Sequence, residues 1–216
     1  MKYPHTPYFE FSPSVDAKDT RRDGYFNVAN FLNVSIIITE KMDGSNCSLT
    51  NKKVAARNGF DAPHISFDYI KSMHSQVSEK IPEDIVVFGE WLYAKHSIHY
   101  KELSGYFQVF AVYQNGHWLS WDDVEKVSGE IGFPVVSHSS PVTFHDTKEL
   151  IGYITRYSEN VITHGGEGTV TRIAGSFSEF KNSVAKYVRK NHVQTSSHWS
   201  KQKLIKNLLC STETVK

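Results

Sequence analysis

Val34-Ser35-Ile36-Ile37-Ile38-Thr39-Glu40-Lys41-Met42-Asp43-Gly44-Ser45-Asn46 is the stretch that organises the rest of the chain. Its β-branched run reads as a strand over 34–42, and Asp43-Gly44-Ser45 is a turn signal that leads into a second strand over 46–50. Lys41 stands where a buried strand gives way to a turn, a position where backbone N–H groups can face an anion. A protonated lysine is a weak nucleophile, so chemistry at this amine would need desolvation or a cationic neighbour. An ordinary hairpin with a snorkelling lysine uses the same residues. The decision lies elsewhere in the chain.

Outward from this stretch, further strands are expected over 84–93, 106–113 and 168–173, with Asn115-Gly116 as a hairpin signal after Tyr113. Helical spacing marks 67–80, 121–131 after Ser120, and 146–157, and a last helix is expected over 197–209 with Trp199, Ile205, Leu208 and Leu209 inward. Strands and helices do not alternate in a βαβ rhythm, so the expected class is α+β, antiparallel sheets flanked by helices. The 216 residues, 39% hydrophobic and 22% charged, suit one folded domain over 1–190 with a basic helical extension over 191–216. Apolar runs such as Ile85-Val86-Val87-Phe88 are far too short to span a bilayer. The N-terminus lacks a secretory pattern and two cysteines make no disulfide framework, so a cytoplasmic setting is expected.

Net charge is +1, but residues 181–216 hold eight Lys/Arg against the single acid Glu213, which leaves the first 180 residues at −6. A basic stripe on a mildly acidic body suits docked phosphates, and it also describes the solvated face of a terminal helix. Three islands add chemistry. Val87-Phe88-Gly89-Glu90-Trp91 ends an apolar strand in a carboxylate, and His164-Gly165-Gly166-Glu167-Gly168-Thr169-Val170 sets Glu167 among glycines, where it could hold a divalent metal that bridges phosphates. Phe180-Lys181-Asn182-Ser183-Val184-Ala185-Lys186-Tyr187-Val188-Arg189-Lys190 concentrates cations. His96 and His99 lack a third ligand at sensible spacing for zinc, and Cys47 and Cys210 read as inert thiols.

In this order, Lys41-Met42-Asp43-Gly44, Phe88-Gly89-Glu90, Tyr106–Val112, Glu167-Gly168-Thr169-Val170 and the 181–190 segment resemble the successive motifs of the covalent nucleotidyltransferases, which include ATP-dependent DNA ligases, RNA ligases and capping enzymes. Gly89-Glu90-Trp91-Leu92-Tyr93-Ala94-Lys95-His96-Ser97-Ile98, Tyr106-Phe107-Gln108-Val109-Phe110 and Lys186-Tyr187-Val188-Arg189, followed by His192-Val193-Gln194-Thr195, resemble bacterial and phage RNA ligases in particular.

The resemblance implies a nucleotidyltransferase (adenylation) domain whose Lys41 attacks the α-phosphate of ATP, carries AMP, and passes it to an RNA 5′-phosphate that a 3′-OH then attacks. It implies nucleotide contacts from Glu40, Asp43, Gly44, Arg57, Glu90 and Phe110, with Glu90 on the ribose and Phe110 stacked on adenine. Either Lys181 or Lys186 would meet the α-phosphate, since the usual Lys-x-Lys pair is absent and Lys186 is the preferred reading. Glu167 would hold Mg²⁺ or Mn²⁺. Arg189, Lys190, His192, Lys201, Lys203 and Lys206 would contact RNA. About 26 residues follow Lys190, too few for an oligonucleotide-binding (OB) barrel, so a partner protein or dimer is expected to supply further contacts. The competing expectations are a minimal ATP-dependent DNA ligase and a non-catalytic RNA-binding relative.

Overall fold

The computed structural model describes residues 1–15, 24–62, 64–190 and 203–210. The triple isoleucine run folds as β3 (Ser35–Glu40), and it is apolar at consecutive positions because both of its faces are covered. Ile36 and Ile38 pack with Phe9, Phe31, Leu150 and Ile154, whereas Ile37 joins a second core with Leu49, Val87, Trp91 and Val109. Strand β3 lies inside a six-stranded sheet with β1 (Tyr8–Phe9), β2 (Tyr25–Phe26), β9 (Val142–Thr143), β10 (Gly168–Ile173) and β11 (Val184–Val188), in the order β2-β1-β11-β10-β3-β9. Pairing is antiparallel except that β1 runs parallel to β2 and β11.

The second sheet, in the order β5-β4-β6-β7-β8, contains β4 (Ser45–Leu49), β5 (Val54–Ala56), β6 (Ile85–Trp91), β7 (Phe107–Gln114) and β8 (His117–Trp118), all antiparallel. Lys41–Gly44 therefore carries the chain from one sheet to the other. Asn115 (φ 48°) and Gly116 (φ 88°) make the expected hairpin turn between β7 and β8. The pairing of β6 with β7 shifts register between Phe88 and Gly89, where a Cβ on Gly89 would lie 2.5 Å from the Phe107 ring.

Three helices pack on these sheets among the described residues: α1 (Asp68–Val77), α2 (Trp121–Ile131) and α3 (Thr147–Thr163). Helix α2 starts as expected, with Ser120 Oγ accepting from Asp123 N, and stops at left-handed Gly132. Helix α3 is capped by Asp146 and runs six residues beyond the expected end, because its apolar stripe covers the six-stranded sheet. The fold is thus the expected α+β arrangement of two mostly antiparallel sheets with flanking helices.

The cationic 181–190 segment, to which the sequence reading assigned no element, contributes strand β11, whose Val184, Ala185, Tyr187 and Val188 are buried in the six-stranded sheet. One expectation needs correction. The helix expected over 197–209 is not formed in its described part: 203–210 runs extended, bridging Ala94 to Lys206 and Leu103 to Leu209. There Ile205, Leu208 and Leu209 are 49%, 51% and 43% exposed while Asn207 is fully buried, the reverse of the expected inward face. Backbone groups of Tyr93, Lys95, Tyr100 and Leu103 hydrogen-bond to this segment, and that pairing outweighs its helical spacing. Residues 197–202 lie outside the described residues.

Candidate active site

A cleft of about 870 Å³ opens between the two sheets. Its aromatic side is the small core formed where the sheets face each other, with Tyr3, Phe110, Trp118, Phe177 and Phe180 lining it. Its polar side is made by strand ends: Lys41 leaves β3, Glu167 enters β10, Glu90 stands near the end of β6 and Lys186 lies on β11. Antiparallel pairing of β3 with β10 sets Lys41 against Glu167, since Thr169 faces Glu40 and Lys41 N donates to Gly168 O at 2.9 Å. The Lys41 ammonium then donates to Glu167 Oε2 at 2.7 Å, with the lysine side chain 29% exposed and the carboxylate side chain 7%.

Glu90 faces this pair across the cleft. Burial pushes its carboxyl up to about 8, the Glu167 and Asp43 charges push the same way, and Lys41 and the Gly44 N–H oppose them. Gly44 N donates to Glu90 Oε1 at 3.2 Å, and a Cβ on Gly44 would sit 2.7 Å from Trp91 O, so only glycine lets the crossover pass this close to β6. Burial also raises the Glu40 carboxyl above its ordinary range. Asp43 Oδ2 accepts from Ser97 N at 2.8 Å, Ser97 Oγ at 2.6 Å and Ile98 N at 2.7 Å, which commits that oxygen to the 92–103 loop.

The remaining expected residues divide by place. Phe110 lines the cleft, edge-on to Tyr3 at 5.0 Å, and Arg57 lines it from the exposed turn at Asn58-Gly59. Lys186 lines it with Nζ 3.8 Å from the Tyr8 ring centroid, whereas Lys181 is exposed on a 3₁₀ turn (Phe180–Asn182) outside the cleft lining. Arg189 N donates to Glu167 O at 3.0 Å, and Lys190 is exposed. Lys203 and Lys206 are exposed and outside the cleft lining, with Lys206 Nζ 5.0 Å from the Tyr93 ring centroid. His192 and Lys201 lie outside the described residues. His96 meets Ser45 Oγ at 3.4 Å and His99 meets Lys206 O at 3.2 Å.

Sequence reasoning missed Tyr100, whose hydroxyl accepts from Asp43 N at 2.8 Å. It also missed Arg172, a guanidinium 3% exposed that donates to Leu119 O, packs on the Trp121 and Phe177 rings, and is lowered by burial to about 10. A tyrosine in a loop and an arginine in a strand carry no local signal for contacts made 57 and 53 residues away.

The sequence model of the RNA ligase family matches residues 34–188, which spans every strand end around the cleft. No curated protein matches the sequence significantly. Similar solved structures include an archaeal ATP-dependent RNA ligase (TM-score 0.59, 14% identity, covering 87% of this chain and 48% of that one). A proposed ATP-dependent DNA ligase from Aquifex aeolicus is similar (0.58, 20%, 87% and 50%), as is a Naegleria gruberi RNA ligase variant with ATP and Mn (0.57, 13%, 77% and 53%). At these identities the likeness is one of fold, and the chain spans about half the length of these structures.

Proposed function

The chain belongs to the RNA ligase family, and from that premise we propose that it is an ATP-dependent RNA ligase in which Lys41 carries the adenylate. The observation that carries the reading is the Lys41 amine held 2.7 Å from Glu167 in a cleft with an aromatic wall on one side and Lys186 on another. An aromatic pocket beside a nucleophile and a cation suits a purine nucleotide.

In the first step the Lys41 Nζ lone pair attacks the α-phosphorus. A P–N bond forms, the P–O bond to pyrophosphate breaks, and pyrophosphate leaves. The amine must shed a proton, and Glu167 Oε2 is within hydrogen-bond reach of it. Lys186 neutralises the α-phosphate, a role for which its place in the cleft favours it over Lys181. AMP then passes to an RNA 5′-phosphate oxygen as the P–N bond breaks, and a 3′-OH displaces AMP to close the phosphodiester. Splitting one displacement into three makes each a matter of alignment and charge neutralisation.

A hard divalent cation takes one or two carboxylates and completes its shell with phosphate oxygens and water, a donor set that Glu167 and a bound triphosphate fit. Such an ion, Mg²⁺ or Mn²⁺, supplies charge neutralisation on the phosphates. The two free thiols, Cys47 buried and Cys210 exposed, suit a reducing cytoplasm. No helix among the described residues is long and apolar enough to cross a membrane.

The test is transfer of labelled adenylate from ATP and Mg²⁺ to the protein. Label is expected on the wild type, none on Lys41→Ala, and little from GTP. An unlabelled but folded, AMP-free wild type would sink the reading and favour an RNA-binding relative. The likeness to a proposed DNA ligase favours a second substrate, so the sealing arm compares nicks with RNA or DNA on the 3′-OH side. Faster sealing of the RNA nick is expected, and preference for the DNA nick would replace RNA ligase by DNA ligase.

A further inference from the structure

The extended 203–210 segment lies on the loop that holds the nucleophile's neighbours. Lys95 N donates to Ile205 O at 2.7 Å, Asn207 N to Tyr93 O at 3.0 Å, Leu208 N to Tyr100 O at 2.9 Å, and Leu103 N to Leu208 O at 3.0 Å. At its centre Asn207 is completely buried. Its Oδ1 accepts from Tyr100 N at 3.0 Å, while its Nδ2 donates to Leu92 O at 2.7 Å and lies 3.4 Å from Ala94 O. A carboxamide alone offers an acceptor and a donor together at this length, so aspartate would lose the donor and leucine both.

On its inner side the same loop grips the Lys41 crossover. The Tyr100 hydroxyl accepts from Asp43 N, and the Asp43 carboxylate collects Ser97 N, Ser97 Oγ and Ile98 N. The loop is thus held between Asn207 outside and Asp43 inside, and Asp43 lies two residues from Lys41 in sequence. The adjoining Gly44 amide is pinned to Glu90. The contacts run from the C-terminal segment through Tyr100 to Asp43, two residues along the chain from the nucleophile.

We propose that Asn207 is a positioning residue for adenylate transfer, acting through Tyr100 and Asp43 to hold the Lys41 crossover in attack geometry. This rests on Lys41 being the adenylate acceptor. The C-terminal segment thereby becomes part of the machinery of the first chemical step. A nucleophile displaced by about 1 Å can lose on the order of a hundredfold in rate, so loosening this grip affects the rate at saturating ATP more than ATP binding.

The test compares full-length wild type, Asn207→Ala, Tyr100→Phe and the double variant. Single-turnover adenylylation is followed against ATP concentration, and hydrogen exchange is followed at the Asp43, Ser97 and Ile98 amides. Each single variant is expected to slow the saturated rate about tenfold or more. The half-saturating ATP concentration should change less than about threefold, and the double variant should be no slower than the slower single. Exchange at the three amides should accelerate in Asn207→Ala. Folded variants with wild-type rates, independent multiplying losses, or unchanged amide exchange would each overturn the proposal. If Asn207→Ala does not fold, Asn207→Ser, a milder truncation that keeps a polar atom, takes its place and is judged by the same rate and exchange readouts. A wild type that takes no adenylate defeats the ligase reading instead, and amide exchange then judges the coupling by itself.

Discussion

Glu90 shows how one residue can be visible in a sequence while its state is not. Its motif marks a carboxylate at the end of an apolar strand, but burial beside Glu167 and Asp43 is what lifts it from 4.5 to about 8. Below about pH 4.5 the carboxyl is protonated in folded and unfolded chains alike. Between there and about 8 the folded chain keeps a proton that the unfolded chain has released, so this residue's contribution to stability is lost as pH rises through the window. Thermal unfolding from pH 5 to 9 should therefore show the wild type losing about 1–3 kcal/mol relative to Glu90→Gln, with the gap levelling off above pH 8. Parallel pH profiles for the two proteins would show that Glu90 is not buried in this state. Lys41 and Glu167 were likewise legible as residues, whereas their ion pair needed β3 and β10 to lie side by side.

At the scale of elements, legibility followed how locally each element is specified. Helix α2 carries its own start at Ser120 and its own stop at Gly132, and both stood in the sequence. Strand β11 carries Lys186 among its apolar residues and was read as a cluster of cations and a motif rather than as a strand, because the pairing that buries it, with β1 at the other end of the chain and with β10, is not a local signal. Glycines separate the two kinds of constraint. Gly168 opens β10 at φ 149°, and a Cβ there would lie 2.1 Å from Tyr187 O, so Gly168→Ala should destabilise by about 3 kcal/mol or more. Gly129 in α2 has open space around it, and Gly129→Ala should stabilise by about 0.5–1 kcal/mol through helix propensity. Urea midpoints of the two variants check both signs, and equal shifts would contradict the geometry.

At the scale of the whole molecule, the chain's charge asymmetry meets its topology. Deleting 181–216 as a unit would remove strand β11, next to β10 inside the six-stranded sheet, so the role of the basic residues is better tested by substitution. If Lys201 and Lys203 meet RNA phosphates, replacing both with Gln should weaken binding to single-stranded RNA of every sequence. It should also flatten the slope of log affinity against log salt by about 1.4, or about 0.7 per contact. An unchanged slope in a salt titration would leave these lysines as solvated charges.

From the sequence alone came the class of fold and the principal strands and helices, because hydrophobic period, caps and turn chemistry are local properties of the chain, whereas the ordered motif residues came from the family resemblance. The cleft, the pairing of Lys41 with Glu167, the raised Glu90 and the extended course of 203–210 were decided only by tertiary structure. Each depends on groups distant in sequence meeting in a site where buried polar atoms must find partners. In the C-terminal segment that demand turned an apparent helix into a strap: the backbone of 92–103 needed pairing, and Asn207 was the side chain that could supply it.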